Sequence, residues 1–202
     1  MSLQLFSGRL SWLVITVVFS VVMVVFLVLA KMKIYDPEIR RHPGIDAIDE
    51  AIGRATEMRR PVCYSPGTSG IYDTKYAADT AAALTILAYV AKQVGEKRAQ
   101  LIVGVSPPTV LPIAEGIVRE AYLLAGIPED YKPSETVRFL SPDQWGFTSG
   151  YIGILHRERA CVNLLFGQHA AEAMIIAESG ATVGAVQIVG TTNVYQMPFF
   201  IA

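Results

Sequence analysis

The chain has 202 residues, 52% of them hydrophobic and only 17% charged, with 17 basic against 18 acidic side chains and a formal net charge of -1. That balance excludes the broad basic field of a nucleic-acid-binding protein, so no nucleic-acid partner is expected. With an apolar N-terminal segment set aside, the remainder suits one domain with a core of ordinary size.

Residues 1–9 form a short tail. Leu10 to Ala30 then reads LSWLVITVVFSVVMVVFLVLA, without a charge. A helix of roughly 20 residues spans a bilayer core, and a lone span must be helical because lipid offers the backbone no partners. Trp12 stands near the N-terminal interface, where an amphipathic ring belongs. Arg9 is the only basic residue before the span, whereas Lys31, Lys33, Arg40 and Arg41 follow it. Positive-inside bias therefore predicts a single-pass protein of the cell membrane, with its N-terminus outside, the lipid bilayer as partner and the following domain cytoplasmic. The competing reading is a signal peptide cleaved after Val28-Leu29-Ala30. The long apolar run and the basic flank on its far side favour a retained anchor.

Residues 31–43 read as a basic linker and 44–202 as the cytoplasmic α/β domain. Gly44 to Met58 is amphipathic, with Ile45, Ile48, Ile52 and Ala55 at helical spacing, acidic residues early, arginines late and Pro61 as the stop. A strand-helix alternation follows. Val62 to Tyr64 is a short strand. A helix runs from about Lys75 to Val94, burying Ala83, Leu84, Leu87, Val90 and Ala91, with Gly95 as its stop. Leu101 to Val105 is a buried strand, Thr109 to Ala125 a helix stopped by Gly126, and Val137 to Leu140 a third strand. Ser141-Pro142-Asp143-Gln144 reads as a helix start, with serine as N-cap and glutamine closing a capping box. Cys161 to Phe166 and Val183 to Val189 are further strands, separated by a helix from Gln168 to Ser179 that Gly180 stops. Strands apolar on both faces that alternate with helices predict a three-layer α/β fold, Rossmann-like, with a mainly parallel sheet. Cys63 and Cys161, the only cysteines, fall in strands and read as buried free thiols, with a disulfide as the alternative.

In such a sheet, ligands bind beyond the carboxyl ends of the strands. Here those ends carry Ser65, Gly67, Thr68, Ser69, Ser106, Thr109, Ser141, Gln168, His169, Thr191 and Asn193. Hydroxyls, amides and helix N-termini gathered at one edge suit an anion or a small polar ligand. The same residues also make turns and cap helices without any ligand. The loop Pro66-Gly-Thr-Ser-Gly70 lacks both the P-loop lysine and the three-glycine dinucleotide spacing, and there is no Cys/His cluster, so neither a cofactor nor a metal is expected. His169 with Ser106 or Ser141 and Asp143 sketches a hydrolase set, but the Gly-x-Ser-x-Gly elbow is absent and no catalytic residue is assigned.

Other features point to assembly. In DQWGFTSGYIGILHRE, Gly146, Gly150 and Gly153 recur at helical intervals beside Trp145, Phe147 and Tyr151. Glycines on one stripe imply close approach of another backbone, either the domain's own sheet or a neighbouring subunit. The terminal VYQMPFFIA is apolar and needs cover. Trp145, Gly146, Gly150, Tyr195, Phe199 and Phe200 are the candidate contacts of a self-associating protein.

Two stretches, HPGIDAIDEAIGRATEM from His42 to Met58 and AESGATVGAVQIVGT from Ala177 to Thr191, lead with Gln196-Met-Pro-Phe-Phe200 to a family likeness. With the N-terminal span, they resemble a prokaryotic membrane-anchored α/β family known only as a domain of unknown function. The resemblance implies a tethered α/β domain, and it carries no activity and no functional residue. The leading expectation is thus a membrane-anchored scaffold or assembly subunit that forms a homo-oligomer. A tethered ligand-binding or regulatory domain using the strand-end loops is the rival, and an enzyme comes third.

Overall fold

The computed structural model describes residues 2–31 and 43–201, with side chains for 10–31 and 43–200. Most of the expected linker over 31–43 lies outside the described residues. The chain divides into two compact units, 1–41 and 42–202. In the first, α1 runs over Ser2–Lys31, and within it the 22 residues Leu10–Lys31 are long and apolar enough to cross a membrane.

The second unit is an α/β domain. Its elements are α2 (Pro43–Met58), β1 (Val62–Ser65), α3 (Ala77–Lys97), β2 (Leu101–Val105), α4 (Leu111–Leu124), α5 (Pro133–Thr136), β3 (Val137–Phe139), α6 (Gln144–Arg157), β4 (Val162–Phe166), α7 (Glu172–Val183), β5 (Val186–Gly190) and α8 (Met197–Ile201), with short 3-10 turns at Pro128–Asp130 and Val194–Gln196. The five strands pair in the order β3-β2-β1-β4-β5, and every pairing is parallel.

Alternation along β1 explains the three layers. Val62 and Tyr64 enter one core with Leu87, Val90 and Val118 from α3 and α4 and with Ile48 and Ile52 from α2. Cys63 enters the other, with Phe147, Tyr151 and Ile154 from α6 and Ile176 from α7. Both faces of the sheet are therefore covered, as its two-sided apolar strands require. Tyr151 lies where a Cβ at Gly104 would fall, 2.5 Å from its ring, so glycine in β2 makes the room that the ring fills. Its hydroxyl donates to Asn163 Oδ1 at 3.0 Å, and Asn163 donates on to Gln187 Oε1 at 3.0 Å, so the polar atoms of this core satisfy one another. Both cysteines are buried and free, and burial pushes the Cys63 thiol up to about 12.

Several boundaries differ from expectation for identifiable reasons. Gly95 and Gly180 do not stop their helices. A Cβ on Gly95 would lie 2.9 Å from Ala125 and one on Gly180 2.6 Å from Gln187, so both glycines serve close packing inside helices that run on to Lys97 and Val183. The left-handed terminators are Arg98 (φ 52°) and Gly184 (φ 76°). The N-cap of α6 is Asp143, which accepts from Trp145 N at 3.0 Å and Gly146 N at 2.8 Å, while Ser141 Oγ accepts from Asp143 N at 3.1 Å one step earlier. Ile45 is exposed, and α2 buries Ala51 with Ile48, Ile52 and Ala55 instead.

Candidate functional site

β1 and β4 are neighbours at the centre of the sheet, yet the chain leaves them in opposite directions: β1 leads to α3 on one face and β4 to α7 on the other. This is the topological switch point, where a doubly wound sheet opens a crevice outside its carboxyl edge.

Here the two loops that flank the crevice interlock. Gly67 (φ 97°) and Gly167 (φ 82°) both adopt conformations that side chains rarely tolerate. A Cβ on Gly67 would lie 2.6 Å from Gln168 O, and one on Gly167 would lie 2.5 Å from Pro66 O. Glycine at both places lets the backbones close on each other, and Thr68 N donates to Gln168 O at 2.8 Å across the junction.

A buried polar cluster lies under that junction. The Glu172 carboxylate, at the start of α7, accepts from Thr68 Oγ1 at 3.2 Å, Ala170 N at 2.9 Å and Gln144 Nε2 at 2.5 Å. His169 Nδ1 stands 3.8 Å from Glu172 Oε1, and both side chains are fully buried. That distance exceeds hydrogen-bond reach, and the ring's other polar neighbour is the Phe166 backbone, in a contact too poorly aligned to satisfy the ring nitrogens fully. Burial pushes the His169 imidazole down to about 4, against the opposing pull of the Glu172 carboxylate.

The segment after β5 covers this cluster. Gln196, 2% exposed, accepts at Oε1 from His169 N at 3.3 Å and from Thr191 Oγ1 at 2.9 Å. Its Nε2 is buried without a partner. Asn193 donates to Gln168 Oε1 at 3.3 Å, and the Phe200 ring meets His169 edge-on at 6.4 Å between centroids. The outer side of the same segment is bare, for Val194 and Tyr195 are 72% and 87% exposed.

Of the residues expected at the strand ends, Thr68, Gln168, His169, Thr191 and Asn193 are joined by hydrogen bonds directly or through Glu172 and Gln196, and Gly67 packs on Gln168. Ser65 is buried and its Oγ accepts from Gly67 N at 3.3 Å. Ser69 contributes its carbonyl, which accepts from Thr80 Oγ1 at 3.0 Å. Ser106 donates to Ser141 O at 2.9 Å, tying β2 to the loop after β3, and Thr109 stands beside Gly70. In the sequence Gln144 stood out only as a helix cap and Gln196 only within the family likeness, and Glu172 carried no site signal. Beside the crevice, a cavity of about 180 Å³ lies between Asp79, Ala83, Phe166, Gly190, Thr191 and Thr192. A cavity of about 310 Å³ lies at the opposite, amino edge, between Arg98, Tyr122, Glu129 and Lys132, and none of the expected loop residues lines it. Among the described residues, no group of three or more His, Cys, Asp or Glu side chains is placed to hold a metal ion.

The glycine stripe of α6 faces its own chain at two places. A Cβ on Gly146 would meet Ser141 Oγ at 2.6 Å, and one on Gly150 would meet Leu140 at 3.4 Å. Trp145 is 53% exposed and Phe199 41%.

No curated protein and no solved structure matches the chain. A family model described as Domain of unknown function (DUF6754) matches residues 2–202, and the chain belongs to that family.

Proposed function

We propose that the chain is a membrane-anchored domain that binds a small polar ligand at the switch-point crevice, with the segment from Thr191 to Ile201 as its cover. The observation that carries this reading is the concentration of unmet polar atoms. Of the four buried side-chain atoms without a well-formed hydrogen bond among the described residues, three belong to His169 and Gln196, the imidazole having only a poorly aligned contact with the Phe166 backbone. A buried polar atom left unpaired costs about 1–3 kcal/mol, so opening of the cover to a guest that both donates and accepts would recover part of that cost. The neutral imidazole supplies one donor and one acceptor for it. The excess of basic residues after the span supports a cytoplasmic domain in this reading.

Diethylpyrocarbonate, which carbethoxylates neutral imidazole, tests whether the cover opens. In the full chain in mild detergent, exposed His156 reacts at once and sets the scale. His169 is expected to react slowly but within the native state, and about tenfold faster in Gln196→Ala, which removes the amide that holds the cover. Modification of His169 only at the rate of global unfolding, in both proteins, counts against a crevice that admits ligands.

A second reading is self-association, the role of a scaffold or assembly subunit. Trp145, Met174, Ile175, Tyr195, Met197 and Phe199 are all exposed on elements at or next to the carboxyl edge, more large apolar surface than isolated side chains account for. Light scattering in mild detergent tests it: a monodisperse monomer ends the assembly reading and leaves the ligand reading standing.

A further inference from the structure

The amino edge of the sheet carries a pattern independent of the crevice. Helices α2, α3, α4, α6 and α7 each end in the same paired turn, in which one residue turns left-handed and returns its N–H to the carbonyl three before it. The five left-handed residues are Arg59, Arg98, Gly126, Arg159 and Gly184. The bonds Arg59 N to Thr56 O, Arg98 N to Gly95 O and Arg159 N to His156 O measure 3.2, 3.2 and 3.3 Å, with φ of 52°, 52° and 51°. Glycine is the residue that fits such a place, and it stands at two of the five. At the other three the chain has arginine, and these are the only non-glycine residues with positive φ among those described.

These arginines precede β1, β2 and β4, which are adjacent in the sheet, so their side chains gather along one edge. Each is exposed, and none takes part in a salt bridge among the described residues. Two hollows lie between them. One of about 210 Å³ is lined by Thr56, Arg59, Arg60, Arg98 and Gln100. The other, about 440 Å³, is lined by Arg60, His156, Arg159 and Val183. Neither lining holds a carboxylate, and Arg60 borders both. Its own guanidinium is occupied: Nε donates to Arg159 O at 2.5 Å, and Nη2 to Ala160 O at 3.1 Å and Val183 O at 3.2 Å. Arg60 thereby takes up helix-end carbonyls that would repel an anion, while Arg59, Arg98 and Arg159 keep their forks free.

We infer that this edge is a binding groove for a phosphate group, held by Arg59, Arg98 and Arg159. Guanidinium forks match phosphate oxygens in pairs, and here Arg59 and Arg98 line one carboxylate-free hollow and Arg159 the next, with Arg60 between them; Arg98 also borders the neighbouring cavity that holds Glu129, Asp130 and Glu135, which leaves Arg59 and Arg159 as the forks farthest from competing carboxylates. The phosphate belongs either to a free phosphorylated molecule or to the headgroup of an anionic phospholipid.

Arginine-to-glycine substitution is the informative change, because glycine suits the left-handed turn and spares the fold. The full chain is placed in nanodiscs of phosphatidylcholine and titrated with inorganic pyrophosphate by calorimetry. In parallel, amide exchange over residues 98–101 and 158–161 is compared between phosphatidylcholine and phosphatidylglycerol nanodiscs. Heat with pyrophosphate identifies a free phosphate ligand, and slowed exchange in phosphatidylglycerol alone identifies the lipid headgroup. In whichever arm responds, Arg98→Gly should weaken the effect about tenfold and the triple glycine variant should abolish it. Silence in both arms, or an undiminished response from the triple variant, overturns the inference.

Discussion

The imidazole of His169 lies 3.8 Å from the Glu172 carboxylate, and water reaches neither side chain. Desolvation prevails over the attraction, so the ring is held neutral with its pKa lowered to about 4 from 6.5. In the unfolded chain the same ring charges near 6.5. Between those values the unfolded state binds the additional proton, so this group's contribution is complete above pH 6.5 and is lost progressively as pH falls toward 4. The expected decline is on the order of 3 kcal/mol across the window. Chemical denaturation of wild type and His169→Gln at several pH values measures it. The variant should lose that part of the slope, and parallel curves would assign the acid sensitivity to other groups.

Gly167 and Gly126 both have positive φ, but only Gly167 also has a neighbour in the way. A Cβ at Gly126 meets nothing within 4 Å, whereas one at Gly167 meets Pro66 O at 2.5 Å. Gly126→Ala should therefore cost about 1 kcal/mol, from backbone strain alone. Gly167→Ala adds a backbone collision that prises the two crevice loops apart, and should cost about 3 kcal/mol or more. Equal losses in thermal melts would mean that the interlock is looser than its geometry implies.

Gly150 separates the two readings of the glycine stripe. Its open side faces Leu140 of the same chain. Gly150→Leu should overpack that contact and lower stability by about 1–3 kcal/mol. Circular dichroism follows folding and light scattering follows size on one sample. A leucine variant as stable as wild type but dissociated would instead put Gly150 at a subunit contact.

The arginine terminators give a prediction about stability apart from any ligand. Arg98→Gly relieves a left-handed side-chain conformation while adding freedom to the unfolded chain, for a net gain of up to about 1 kcal/mol. Gain on losing an arginine means that the residue is kept for something other than the fold. A clear loss would credit the guanidinium with steadying the negative end of α3. Denaturant midpoints of the single glycine variants decide between them.

The layers of this fold were legible because burial on both faces leaves an apolar signature in β2 and β4 whatever the order of the strands. The order itself was not, since nothing local in Val62 to Ser65 says that β4, not β3, lies on its other side. The hydroxyls of the carboxyl edge were readable as turn residues. Glu172 was not readable as a buried carboxylate, because an acid in the first turn of a helix usually faces water there and steadies the helix dipole. Its burial comes from Thr68 and Gln144, which arrive from elements distant in the chain. Gly95 and Gly180 misled for a related reason: glycine ends helices, but it also lets helices approach what lies beside them. Of the true terminators, Gly184 is the later of two glycines in the same stretch, and Arg98 carries no terminator signal in its side chain.

The central place of β1 also sets the order in which the sheet can be completed during synthesis. One side of β1 is met by β2, with Val62 beside Leu101. Its other side waits for β4, where the same Val62 pairs with Val162. A nascent chain can thus close β3-β2-β1 as a half-sheet while the first strand still presents an open hydrogen-bonding edge. That edge is apolar and parallel, the kind most prone to pair with a neighbouring chain. Until Val162 to Phe166 emerge and pair with β1, the half-sheet therefore keeps one edge uncovered, and the correct closure of the sheet depends on β4 arriving before another chain pairs there.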